Sequence, residues 1–207
     1  MGGIYWLLLL LDLVGSAALF SVSYLSLRAL RSGLRVFSLF FLGFAALAAG
    51  RLCHGLVLVA LALTRPPGIL VAIASTTAGL VVLGSQLVAY ALIAVGYSRQ
   101  TREGGAIGIS AYASYIARRV SLHVVGQVLC MALLLYVVLQ ALAVYLEERK
   151  RICLLPLLGF SALLASHAVE LLALLEISEG LYVVSGIAYF GGLVPFLILA
   201  LEVARAS

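Results

Sequence analysis

The sequence predicts an all-α polytopic integral membrane protein, a bundle of six transmembrane helices in two three-helix repeats, with residues 104-117 as a possible short seventh span. Three observations predict it. Of 207 residues, 65% are hydrophobic and only 10% charged, with a mean hydropathy of +1.23, far outside the range of a soluble domain. The apolar residues form runs of about twenty or more between short charged breaks, as spanning helices do, and lack the period-two alternation of a β-barrel. The chain also matches itself when shifted by 116 positions, so that Arg51 falls on His167.

The first helix is expected over Ile4–Leu27. No Lys or Arg precedes it in Met1–Trp6, so it is expected to remain as a helix and not to be removed as a signal peptide. Asp12 lies about 12 Å into it, where a carboxylate should be neutral or paired. Arg28, Arg31 and Arg35 form a short basic break that reads as cytoplasmic. The second helix, Val36–Leu63, ends at Thr64-Arg65-Pro66-Pro67-Gly68, where two prolines remove backbone donors. The third, Ile69–Tyr97, carries Ser75 and Gly79 at the spacing that lets membrane helices approach closely. It also carries Gln86 and Tyr90 one turn apart, either as a polar lining or as hydrogen bonds between helices.

Between Arg99 and Arg119 the apolar segment is fourteen residues, about 21 Å as a helix against a hydrocarbon core of about 30 Å. Length therefore favours an interfacial or re-entrant helix there. Charge favours a crossing, because a seventh span would divide the basic residues outside the helices nine against three instead of seven against five. A seven-span form resembles in arrangement the three-plus-one-plus-three plan of the SWEET sugar carriers, with an outside N-terminus. The Pro-Gln dipeptide of that wider family is absent, so the likeness is confined to arrangement.

The fourth helix, Val120–Leu146, holds His123 and Gln127 near its start, and Glu147–Arg151 closes it. The fifth, Ile152–Ile177, should tolerate Pro156 in its first turn and carries His167 and Glu170. The sixth, Leu181–Ala204, contains Gly186, Gly191, Gly192 and Pro195, which suit close packing and a kink. The repeats are then residues 1-98 and 120-207, joined by a basic connector over 99-119.

The shift of 116 aligns Leu42-Gly43-Phe44 with Leu158-Gly159-Phe160, and Arg51 and His54 with His167 and Glu170. Each copy thus has two polar residues at i and i+3 on one helical face, where the membrane tolerates them least. Arg51, His54, His167 and Glu170 are the candidate binding or relay cluster, with Asp12, Gln86, Tyr90, His123 and Gln127 as a secondary polar lining. The plainest expectation is structural: Arg51 and Glu170 neutralise each other while the histidines hydrogen-bond nearby.

Two functional readings stand beside it. In a carrier or proton pathway, Glu170 and the histidines are titratable relays and Arg51 an anion anchor, in helices related by repeat as in secondary carriers. In a b-type cytochrome, His54 and His167 ligate haem and Arg51 meets a propionate. A sensor, or a membrane-embedded subunit of a larger assembly such as a respiratory complex, is a further possibility. No GxSxG, HExxH, CxxC, P-loop or Asp-rich metal motif occurs, so no enzymatic activity and no metal site are expected.

The net charge of +5 sits at the ends of the apolar runs and reads as topology, so no nucleic-acid partner is expected. The expected partners are the lipid bilayer, a second copy or other membrane subunits, and the expected location is the cytoplasmic membrane. Cys53, Cys130 and Cys153 read as apolar packing residues. The absence of asparagine points to a thermophilic prokaryote.

Overall fold

A computed structural model describes residues 3–31, 37–64, 66–100, 122–175 and 180–206. Six helices account for nearly all of them: α1 (Gly3–Arg31), α2 (Phe37–Thr64), α3 (Gly68–Gln100), α4 (Leu122–Glu148), α5 (Arg151–Leu174) and α6 (Gly180–Ala206). All six are long and apolar enough to cross a membrane, and the chain is a multi-pass membrane protein. The expected short segment at 104-117 lies outside the described residues.

The distribution of polarity is that of a bundle in lipid. Trp6, Leu10, Phe20, Leu56, Ile73 and Leu139 are exposed, whereas Asp12, Ser16, Gln86, Gln127 and His167 are buried. With hydrocarbon outside, apolar residues cost nothing there and polar ones find partners only within. On α1 the buried stripe Asp12, Ser16, Leu19, Ser23 advances by four, three and four residues, one face of a helix.

Local chemistry sets the helix ends. Pro66 and Pro67 separate α2 from α3, and the Pro67 carbonyl accepts hydrogen bonds from Leu70 N (2.9 Å) and Val71 N (3.2 Å) to start the new helix. Between α4 and α5 only Arg149 and Lys150 intervene. Arg149 takes φ 53°, the left-handed conformation that commonly ends a helix, and its N–H reaches the Tyr145 carbonyl at 2.8 Å. Pro156 is the sixth residue of α5, beyond the first turn expected for it. The helix continues through it with one backbone donor fewer.

Each helix packs against its neighbours in sequence, and α1 packs against α6, so the described helices close into a ring. Direction follows from contacts. A side chain added at Gly79 on α3 would meet His123, and one at Gly126 on α4 would meet Leu83, so α3 and α4 run in the same direction. The pairs Tyr90–His167 and Tyr97–Phe160 run α3 against α5, which agrees, since α4 and α5 form a tight antiparallel hairpin. Leu11 and Gly186 likewise meet where α1 and α6 run parallel. Gln100 and Leu122 therefore lie at opposite ends of the bundle.

One end collects the C-termini of α1, α3, α4 and α6 and the N-termini of α2 and α5. Arg28, Arg31, Arg99, Arg149, Lys150, Arg151 and Arg205 all belong to that end. Among the described residues, no Lys or Arg belongs to the other end. The basic half is filled by a chain of edge-to-face aromatic rings. Phe40 meets Tyr97 (5.4 Å between centroids), Tyr97 meets Phe160 (6.2 Å), Phe160 meets Phe196 (4.7 Å), and Phe196 meets Phe44 (5.1 Å). Phe160 is fully buried.

Candidate functional site

Toward the less basic end the packing gives way to a cavity of about 270 Å³ lined by residues of all six helices. Its polar wall begins with α1 and α2. Arg51 and His54, three apart and hence on one face of α2, both reach the Asp12 carboxylate of α1. Arg51 Nη1 donates to Asp12 Oδ1 at 2.9 Å, and His54 Nδ1 lies 2.5 Å from Oδ2. A glycine beside Arg51 lets α2 pack closely on α3. At Gly50 any Cβ would collide with Ser85 of α3, whereas a Cβ at Gly55 would make only ordinary contacts with Asp12 and Leu13. Asp12 is 3% exposed, so the two donors supply what water would otherwise give its oxygens. The Arg51 guanidinium also stacks on the Tyr189 ring of α6, 4.0 Å from its centroid.

The expected Arg51–Glu170 pair does not form. α1 packs directly on α2, whereas α2 and α5 stand across the ring from each other, so the nearest carboxylate to Arg51 is that of Asp12. Glu170 lines the same cavity as Arg51, His54 and His123, within electrostatic reach of Arg51, and makes no hydrogen bond or ion pair with any described residue.

His167, aligned with Arg51 by the shift of 116, is fully buried beside the cavity and is not part of its wall. Its Nδ1 lies 2.6 Å from Gln127 Oε1 on α4, and its Nε2 lies 2.9 Å from Tyr90 Oη on α3. With Nδ1–H donating to the amide oxygen, Nε2 accepts from the Tyr90 hydroxyl, and every polar atom of the ring is satisfied. Asp12 on Arg51 and Gln127 on His167 occupy matching places, since 127 − 12 is 115 and 167 − 51 is 116. In both halves a polar residue of one helix grips the i position of the next.

The expected cluster is thus divided. Arg51, His54 and Glu170 face the cavity together with Asp12, Gln86, His123 and Gln127 of the expected lining. His167 and Tyr90 lock helices together behind that wall. Three participants had not been expected. Ser166 and Ser185 exchange hydrogen bonds between α5 and α6, each hydroxyl donating to the other's carbonyl at 2.9 and 3.0 Å. Tyr189 is 4% exposed, and its hydroxyl, like Arg51 Nε, is buried without a partner at the cavity wall. The signal for Tyr189 was its spacing of seven from Tyr182, which places both rings on one face of α6.

A haem held by His54 and His167 does not fit these residues. Both ring nitrogens of His167 are already engaged, and axial ligation would strip Tyr90 or Gln127 of its partner. Among the described residues no group of three or more His, Cys, Asp or Glu side chains is placed to hold a metal ion. Of the cysteines, Cys130 is buried in the core as a packing residue, Cys153 is partly buried, and Cys53 is exposed on the outer surface of α2. No protein-family model, curated protein or solved structure matches the chain.

Proposed function

We propose that this chain is a small solute carrier of the cytoplasmic membrane, built from two parallel three-helix repeats, with the polar cavity as its solute site. The observation that carries the reading is the cavity itself, to which all six helices contribute and in which Glu170 makes no hydrogen bond or ion pair with any described residue. A carboxylate in a membrane interior is costly, and such residues characteristically mark pathways. Repeats related by an axis along the membrane normal, with a site between them, are a carrier plan. Among the described residues the edge-to-face aromatic chain lies on the basic side of the cavity, an asymmetry that suits a carrier in one of its two access states. The basic end faces the cytoplasm in this reading, so the cavity belongs to the outer half.

The test is solute-driven charge movement and radiolabel counterflow in proteoliposomes containing the purified protein, screened over small cations, zwitterions, anions and polyols. Saturable flux of one class that is lost in Glu170→Gln is expected. Absence of flux for every class, with stoichiometric copurification of another membrane protein, would replace the carrier by a subunit of a larger assembly.

A further inference from the structure

We infer that the cavity selects a small organic monocation, an ammonium that also bears a hydroxyl or carbonyl oxygen. This rests on the proposed solute site and names what occupies it.

Charge is the first argument. With the histidines counted neutral, the ionised residues of the wall are Asp12, Arg51 and Glu170. Arg51 and Asp12 pair at 2.9 Å, and Glu170 makes no ion pair with any described residue, so its carboxylate is the group of the wall to which a bound cation can bring a counter-charge. An anion brought there would oppose the Glu170 carboxylate, and a neutral solute would bring it no counter-charge. A monocation closes the balance.

Shape and polarity narrow the class. A volume of about 270 Å³ lies just below the usual range for drug-sized ligand pockets, so the solute is a small molecule. Tyr182 and Phe190 line the wall, and aromatic faces attract ammonium groups. The two unpartnered buried atoms of the wall, Tyr189 Oη and Arg51 Nε, belong to side chains stacked on one another, on the side of the cavity formed by α2 and α6. An oxygen on the solute, met by a small rotation of Tyr189, gives these donors an acceptor while the ammonium stays at Glu170. A bare alkylammonium offers no such acceptor, and a zwitterion restores the charge imbalance by its own carboxylate.

Isothermal titration of the purified full-length protein with ethanolamine hydrochloride, alanine, sodium propionate and glycerol at neutral pH tests this. Ethanolamine is expected to bind saturably, with the other three at least about tenfold weaker. Glu170→Gln should abolish ethanolamine binding, Glu170→Asp should retain it, and Glu148→Gln, at the basic end, should leave it unchanged. Retention of the thermal unfolding midpoint in Glu170→Gln establishes that it folds; where it does not fold, the comparison among the four probes on the wild type decides alone. Equal or tighter binding of alanine, propionate or glycerol overturns the assignment, as does undiminished ethanolamine binding in folded Glu170→Gln. Ethanolamine binding without flux in proteoliposomes overturns the carrier and leaves the cation site standing. Flux of another class without ethanolamine binding does the reverse.

Discussion

Asp12 of α1 accepts a hydrogen bond from Arg51 of α2 at 2.9 Å, and the same carboxylate holds His54 at 2.5 Å. One acidic residue therefore anchors both polar residues of the α2 face, and its removal leaves Arg51 and His54 without their hydrogen-bond acceptor. Asp12→Ala is expected to cost about 3–5 kcal/mol of stability. Arg51→Met combined with Asp12→Leu should recover most of it, because replacing the whole pair by apolar groups is close to neutral. Unfolding in detergent of Asp12→Leu, Arg51→Met and their combination, beside Asp12→Ala, measures this. A double variant no more stable than either single one contradicts the pairing as the source of the loss.

The parallel seams depend on glycine meeting leucine: Gly126 of α4 faces Leu83 of α3, and Gly186 of α6 faces Leu11 of α1. Gly126→Ala should destabilise by about 1–3 kcal/mol through overpacking, since its new methyl falls on the Leu83 side chain. Leu83→Ala in the same chain should relieve part of that loss. Thermal unfolding of the single and double variants reads the coupling.

Phe160 fills the basic half between Tyr97 and Phe196. Its truncation to alanine is expected to cost about 3–5 kcal/mol. In the carrier reading it also opens a route past the cavity, so proteoliposomes with Phe160→Ala should leak ethanolamine without a saturable rate. A variant that is destabilised yet keeps wild-type saturation separates the packing role from the closing role.

Because α3 and α4 run in the same direction, Ser98 and Leu122 should be labelled from opposite sides of the membrane. After the native cysteines are replaced, Ser98→Cys should react with an impermeant maleimide only from the side to which Arg149 belongs, and Leu122→Cys only from the other. Labelling of both from one side would contradict the parallel arrangement.

Much of this architecture was legible in the sequence, because hydrocarbon leaves few choices: long apolar runs become helices, and charges collect between them. The i and i+3 polar pairs on α2 and α5 were legible for the same reason, since a helix puts Arg51 with His54, and His167 with Glu170, on one face. What those faces meet was not. Arg51 pairs with Asp12 because a short connection makes α1 and α2 neighbours, while α5 lies opposite, and helix adjacency of that kind is a tertiary fact. As a lone carboxylate in an apolar run Asp12 looks like secondary lining, although it is the centre of the first polar group. Tyr189 escaped notice because a tyrosine in an apolar helix is ordinary until the arginine stacked on it is known. Glu170 was read as Arg51's partner, and its lack of one became visible only with the ring assembled.

A solute site at this cavity requires Glu170 to face a solvent-reachable interior and not lipid. The direct measurement is the reactivity of Glu170→Cys, in a background lacking native cysteines, toward a small charged methanethiosulfonate in liposomes, compared with Leu139→Cys on the exposed surface of α4. Rapid modification of Glu170→Cys and little modification of Leu139→Cys are expected. A Glu170→Cys as inert as Leu139→Cys would contradict the solute site.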